Sequence, residues 1–265
     1  MLESINLLKP DIVVITGDLT ENGFSTEYNG AKNFVDRIEC ENKVLVPGNH
    51  DSKNAGYLHV EDLFENRFSS QNFRDVTVVG ADSSQPDLNE DHIGRENYGW
   101  IKDAFSSENF KVFAVHHHLV PIPVLHQLDQ KIIYPHYDFK HLTEKYFEIG
   151  MKLNDFSIQL VKYCIPLAGR ENTVLVDAGD VLELLNRCKV NLVLCGHCHI
   201  PHVWHLNNML VVNAGTFCSS KTRGKTTQCY NLIQADNENS GGNWNVRVSR
   251  VFPQGDVELV TETVM

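Results

Sequence analysis

Four times in this chain an apolar, β-branched run ends abruptly in polar residues of a metal-seeking kind. DIVVIT (11–16) runs into Gly17-Asp18, and KVLVP (43–47) into Gly48-Asn49-His50-Asp51. FKVFAV (110–115) runs into His116-His117-His118, and VNLVLC (190–195) into Gly196-His197-Cys198-His199. Short apolar runs of this kind read as buried strands. Polar residues at the carboxyl ends of buried strands are where α/β proteins place ligands and chemistry. The pattern therefore asks for a sheet-based core with all four clusters gathered at one end.

The elements between the clusters agree with this. A helix is expected from Ser25 or Thr26 to Cys40, with Phe34, Val35 and Ile38 on one face. Further helices are expected over 97–106 and 181–188, and strands over 43–46, 76–79, 110–115 and 190–195. After residue 200 the alternation gives way to short strands at 203–205, 209–213, 227–233, 245–251 and 257–261. The segment 124–164 has no clear period. It reads as an insertion on the core, with a helical stretch near Leu142 to Tyr163, and leaves a lid or a homodimer contact open.

Composition narrows the function classes. Of 265 residues 42% are hydrophobic and 22% charged, enough for a packed core. The formal net charge of −11 argues against a general nucleic-acid surface. A small phosphoester is still compatible, provided cations supply positive charge locally. The seven cysteines are an odd count in a chain too long to need disulfide staples, so reduced thiols are expected. The lack of a long apolar run or a leader-like start points to a cytoplasmic protein with no membrane partner.

Taken singly, each cluster has an ordinary reading. Gly-Asp after a strand is usually a turn, and a His-x-His pair is usually surface or packing. Four of them at four strand ends are hard to reconcile with coincidence. Asp, Asn and His offer oxygen and imidazole donors suited to manganese, iron or zinc. Alternation in an extended segment would put His197 and His199 on the same side.

The ordered set GD, GNHD, a His after an apolar strand, and GHxH resembles the calcineurin-like metallophosphoesterase superfamily. The likeness is nearest to its class III cyclic-nucleotide phosphodiesterase branch. It extends from Pro10 to Thr216 and takes in ADSSQP (81–86), GRENYGWI (94–101), DAGDVLELL (177–185) and VVNAGT (211–216). The resemblance implies a four-layer α/β fold in one domain, two sheets flanked by helices. It implies hydrolysis of a phosphodiester or nucleotide-type substrate by a metal-bound hydroxide at two divalent ions. Phosphomonoester hydrolysis, or metal binding without turnover, are the rival readings. By the same resemblance Asp18 bridges the ions, and Asn49, His116 and His197 complete one ligand set. His199 belongs to the other, His50 is the catalytic histidine, and Asp51 orients it. His117 and His118 are candidates for facing substrate, with a structural role as their alternative.

One part of the family pattern is not met. An Asp-x-His motif on an earlier strand would supply two more ligands, and the residues before Asp18 contain none. Only Asp18 and His199 are then left for the other ion. The fold is expected to be short of its first strand, with an open sheet edge beside the GD strand, through a mis-assigned or truncated start, with a one-metal enzyme or a decayed relative as the alternative.

Overall fold

The apolar runs that open the sequence argument become the strands of a layered α/β structure, seen here in a computed structural model. The structure describes residues 1–86, 91–122, 174–220, 222, 226–237 and 243–265. The chain divides into two compact units, residues 1–119 with 175–265, and residues 120–174. The insertion expected at 124–164, with its helical stretch, lies outside the described residues.

In the first unit the order is α1 (Leu2–Leu8), β1 (Val13–Ile15), α2 (Ser25–Asp36), β2 (Lys43–Leu45), α3 (Tyr57–Phe64), β3 (Ser69–Phe73), β4 (Val76–Ala81), α4 (Tyr98–Ala104) and β5 (Phe110–Val115). Then come α5 (Ala178–Arg187), β6 (Leu192–Cys195), β7 (His202–Leu206), β8 (Met209–Asn213), β9 (Tyr230–Asp236), β10 (Asn245–Val251) and β11 (Val257–Val264).

Six strands form the main sheet, in the order β3-β4-β5-β6-β8-β7. Its inner strands β4, β5, β6 and β8 run parallel, and the two edge strands run antiparallel. All six residues of β5 are buried, as a central parallel strand covered on both faces requires. Lys111 remains polar there by carrying its ammonium to the Cys188 carbonyl, 2.9 Å away.

The second layer is in two pieces. β1 and β2 form a parallel pair, and β9, β10 and β11 an antiparallel trio. Both pieces meet the same core. Val44 of β2 and Val246 and Val248 of β10 pack with Val78, Phe110, Val112, Leu192, Leu210 and Val212 of the main sheet. Ile12, Val14, Ile233 and Ala235 join from the flanks. The expected sandwich is present, with its second layer interrupted. β1 has β2 on one edge and no strand on the other among the described residues, so its residues are only half-buried. That is the open edge expected beside the GD strand.

Some boundaries differ from the sequence reading. Helix α2 starts at Ser25 with Phe24 at its cap, because Glu27 reaches back to accept from the N–H groups of Asn22 and Phe24. It ends at Asp36 rather than near Cys40. Helix α3 and strand β3 were not anticipated. β3 (SSQNF) is a polar edge strand whose residues give no apolar alternation.

Candidate metal centre

The four clusters meet at the carboxyl ends of four strands, two from each layer. Asp18 follows β1 and Asn49 follows β2, while His116 follows β5 and His197 follows β6. β1 and β2 are parallel to one another, and so are β5 and β6, so each pair brings its loops to the same end.

The close approach depends on glycine. A Cβ on Gly17, whose φ is +88°, would lie 2.6 Å from both the Gly48 nitrogen and His116 Nδ1. A Cβ on Gly48 would lie 2.5 Å from the Asp18 nitrogen and 2.8 Å from His116 Cε1. No other residue type admits this packing. Asp18 (φ 57°) and His197 (φ 68°) also adopt left-handed backbone, at roughly 1–3 kcal/mol each. Strain at these positions is a mark of a functional site.

The donor atoms then converge. His116 Nε2 is 3.2 Å from Asn49 Oδ1, 3.3 Å from His197 Nδ1 and 3.4 Å from Asp18 Oδ1. His197 Nδ1 is 3.1 Å from Asn49 Oδ1. Four N and O donors about 2.0–2.2 Å from one cation would stand about 3.3–3.6 Å apart in a tetrahedron. The separations among Asn49, His116 and His197, 3.1–3.3 Å, approach that spacing, and Asp18 Oδ1 reaches His116 Nε2 at 3.4 Å. His116 is also set in the right tautomer. Its Nδ1 lies 2.6 Å from the Thr16 carbonyl, an acceptor only, so Nδ1 holds the proton and Nε2 presents its lone pair.

His117 belongs to the same cluster, its ring centroid 4.5 Å from that of His197. Its two nitrogens lie beside other side chains. Nδ1 lies 2.8 Å from Ser83 Oγ, and Nε2 2.9 Å from Asp91 Oδ2. The ring is 2% exposed, and burial lowers its pKa more than Asp91 raises it, so it packs as a neutral imidazole. His118 is buried too, stacked on His197 with its Nδ1 3.3 Å from Cys198 Sγ. Both rings pack against the ring of His197.

His50 is half-buried, its backbone N–H donated to Asp18 Oδ1 at 3.2 Å. Asp51 does not meet its ring. The Asp51 carboxylate is fully buried and accepts from the N–H groups of Gly48, Leu19 and Thr20 and from the Thr20 hydroxyl. It ties the Asp18 loop to the Asn49 loop. Burial first, and the nearby Asp18 second, raise its pKa. The ring of His199 is not one of the four donors; its backbone is left-handed at φ 57°, and its carbonyl accepts from Thr226 Oγ1.

The sequence reading passed over several contributors. The Thr16 carbonyl, Ser83 and Asp91 carry no signal of their own, because each acts through a neighbour brought close by the fold. Cys195 and Cys198, three apart and flanking His197, are buried cysteines in no disulfide. Burial pushes the Cys195 thiol up to about 12, which makes it inert.

Comparisons with known proteins agree with this geometry. A model of the calcineurin-like phosphoesterase family matches residues 1–201. Over 128 residues the chain is 34% identical to a protein of Arcobacter nitrofigilis named "Probable glycerophosphodiester phosphodiesterase", covering 44% of this chain and 45% of that one. Over 207 residues it is 22% identical to a Xenorhabdus bovienii protein named "Probable cyclic nucleotide phosphodiesterase", covering 77% and 67%. The chain thus spans less than half the length of the first relative and two thirds of the second. The purple acid phosphatase PPD1 of yellow lupin aligns with 99% of this chain and 48% of its own, with a TM-score of 0.59 at 14% identity, a likeness of fold. The family match over most of the chain makes this chain a member of the calcineurin-like phosphoesterase family.

Proposed function

We propose that the protein hydrolyses a small phosphoester, and that the substrate is a phosphodiester or nucleotide-type ester. The observation that carries the reading is the convergence of Asn49, His116 and His197 donors 3.1–3.3 Å apart, with Asp18 Oδ1 3.4 Å from His116, a spacing that suits a divalent cation. The diester assignment leans on the names of the two relatives, both phosphodiesterases. A divalent ion held there supplies a Lewis acid for a phosphate oxygen and an activated water. Manganese, iron and zinc all suit the donor set. By the family resemblance, His199 and Asp18 would help to hold a second ion.

The chain's own residues do the rest. His116 keeps a lone pair aimed into the cage because Thr16 holds its other nitrogen's proton. His50 protonates the leaving oxygen. Asp51 fixes the two loops on which Asp18 and Asn49 stand. A rival reading, metal binding without turnover, draws on the fact that only one four-donor set is assembled among the described residues.

Turnover of an aryl phosphodiester and an aryl phosphomonoester with Mn²⁺ separates these readings. Diester turnover in excess is expected. His50→Ala should keep Mn²⁺ binding and lose about 10²–10⁴-fold in kcat, while His116→Ala should lose Mn²⁺ binding itself. Wild-type protein that binds Mn²⁺ yet turns over neither ester would refute the hydrolase reading.

A further inference from the structure

We infer that Lys53 is a positioning residue for His50, and that its ammonium decides which imidazole nitrogen bears the proton. The inference deepens the role given to His50 above and rests on that reading for its catalytic consequence.

Three polar atoms form a tight triangle beside His50. Its Nδ1 lies 2.7 Å from the Glu21 carbonyl oxygen and 2.9 Å from Lys53 Nζ. Lys53 Nζ is itself 3.4 Å from the same carbonyl. The two neighbours make opposite demands. A carbonyl only accepts, so it asks for a proton on Nδ1. An ammonium only donates, so it asks for a lone pair there.

With the proton on Nδ1, the bond to Glu21 forms and the N–H is turned against a cation. With the proton on Nε2, Nδ1 accepts from Lys53, and a second ammonium N–H reaches the Glu21 carbonyl. The second arrangement satisfies all three atoms and includes a charge-assisted bond, roughly twice as strong as a neutral one. Lys53 therefore favours the Nε2–H tautomer. Remove the ammonium, and the carbonyl alone governs, drawing the proton to Nδ1.

Lys53 is held where this bias is exerted. Its carbonyl oxygen accepts from the Gly56 N–H at 2.8 Å and abuts Gly23, which has φ +72° and no room for a Cβ. The backbone of the 50–56 loop cannot slide away from the Glu21 loop. The consequence for chemistry is direct. Nδ1 is occupied by this triangle, so Nε2 is the nitrogen left to meet a substrate oxygen. It must bear the proton for His50 to act as a general acid.

The test reads the tautomer itself. Long-range ¹H–¹⁵N correlation of metal-free, ¹⁵N-labelled protein at a fixed pH of about 8, where free histidine is neutral, distinguishes protonated from bare ring nitrogens; His50→Gln assigns the signal. Wild-type protein should show His50 with the proton on Nε2, Lys53→Met should show it on Nδ1, and Lys53→Arg should keep the wild-type form. A wild-type proton on Nδ1, or no change in Lys53→Met, overturns the inference. In the Mn²⁺-loaded enzyme Lys53→Met should lower kcat about 10²-fold with KM little changed, and Lys53→Arg should restore it. An inverted tautomer with unchanged kcat overturns the catalytic link. An inert wild-type enzyme overturns only the hydrolase reading, since the nitrogen spectra still decide the role of Lys53.

Discussion

A carboxylate one residue after a proposed proton donor invites a catalytic role, and the contacts of Asp51 give it another. Its two oxygens hold three backbone N–H groups and a hydroxyl from both loops that carry oxygen donors of the cage. The Tyr28 hydroxyl secures its backbone carbonyl at 2.7 Å. Leaving a buried N–H without its acceptor costs about 1–3 kcal/mol. Asp51→Asn, which replaces one acceptor oxygen by a donor, should therefore lower the free energy of unfolding in urea by about 1–3 kcal/mol, in the absence of metal. Unchanged stability with lost activity would return Asp51 to a direct role beside His50.

At the scale of elements, the centre depends on how closely two layers of strands approach at their carboxyl ends. Gly48 sits at that approach, with the Asp18 nitrogen on one side and the His116 ring on the other. Gly48→Ala leaves every donor in place and pushes β2 away from β1 and β5. Loss of donor alignment of this sort weakens metal binding by roughly 10–100-fold, and Mn²⁺ titration calorimetry should show it. Full affinity in that variant would mean that the loops adjust freely, against the packing described. The same scale explains why the strands were legible and some helices less so. β5 and β8 are apolar on both faces and match the expected 110–115 and 209–213. α3 covers the core with Val60 as its one buried residue, too little for a clear period in the sequence.

For the molecule as a whole, the buried neutral imidazole of His117 makes acid the natural stress. Burial holds the pKa of His117 below its ordinary 6.5. Its contribution to stability is therefore complete above pH 6.5 and is lost as pH falls through the lowered folded value. The urea midpoint of the metal-free protein should fall below pH 6.5. His117→Gln, neutral throughout and able to donate to Asp91, should be less stable at neutral pH and show a flatter acid limb. An identical acid limb in the variant would place the acid sensitivity elsewhere. No helix among the described residues is long and apolar enough to cross a membrane.

What the sequence determined by itself was the family and most of the strands, together with a set of candidate donors. Those follow from local information: an apolar β-branched run has one low-energy fate in a packed core, and Gly-Asp, Gly-Asn-His-Asp and Gly-His-x-His keep their meaning in order along the chain. What only the tertiary structure decided was which atoms face which. Thr16, distant in sequence, holds the proton of His116. Ser83 lies 2.8 Å from one nitrogen of His117 and Asp91 2.9 Å from the other, neighbours that the sequence does not announce. Asp51 serves backbone amides in place of its neighbour's ring, and Lys53 faces the nitrogen that Glu21 also claims. Hydrogen bonds are short and directional, so a role that depends on one is written only when the chain has closed around it.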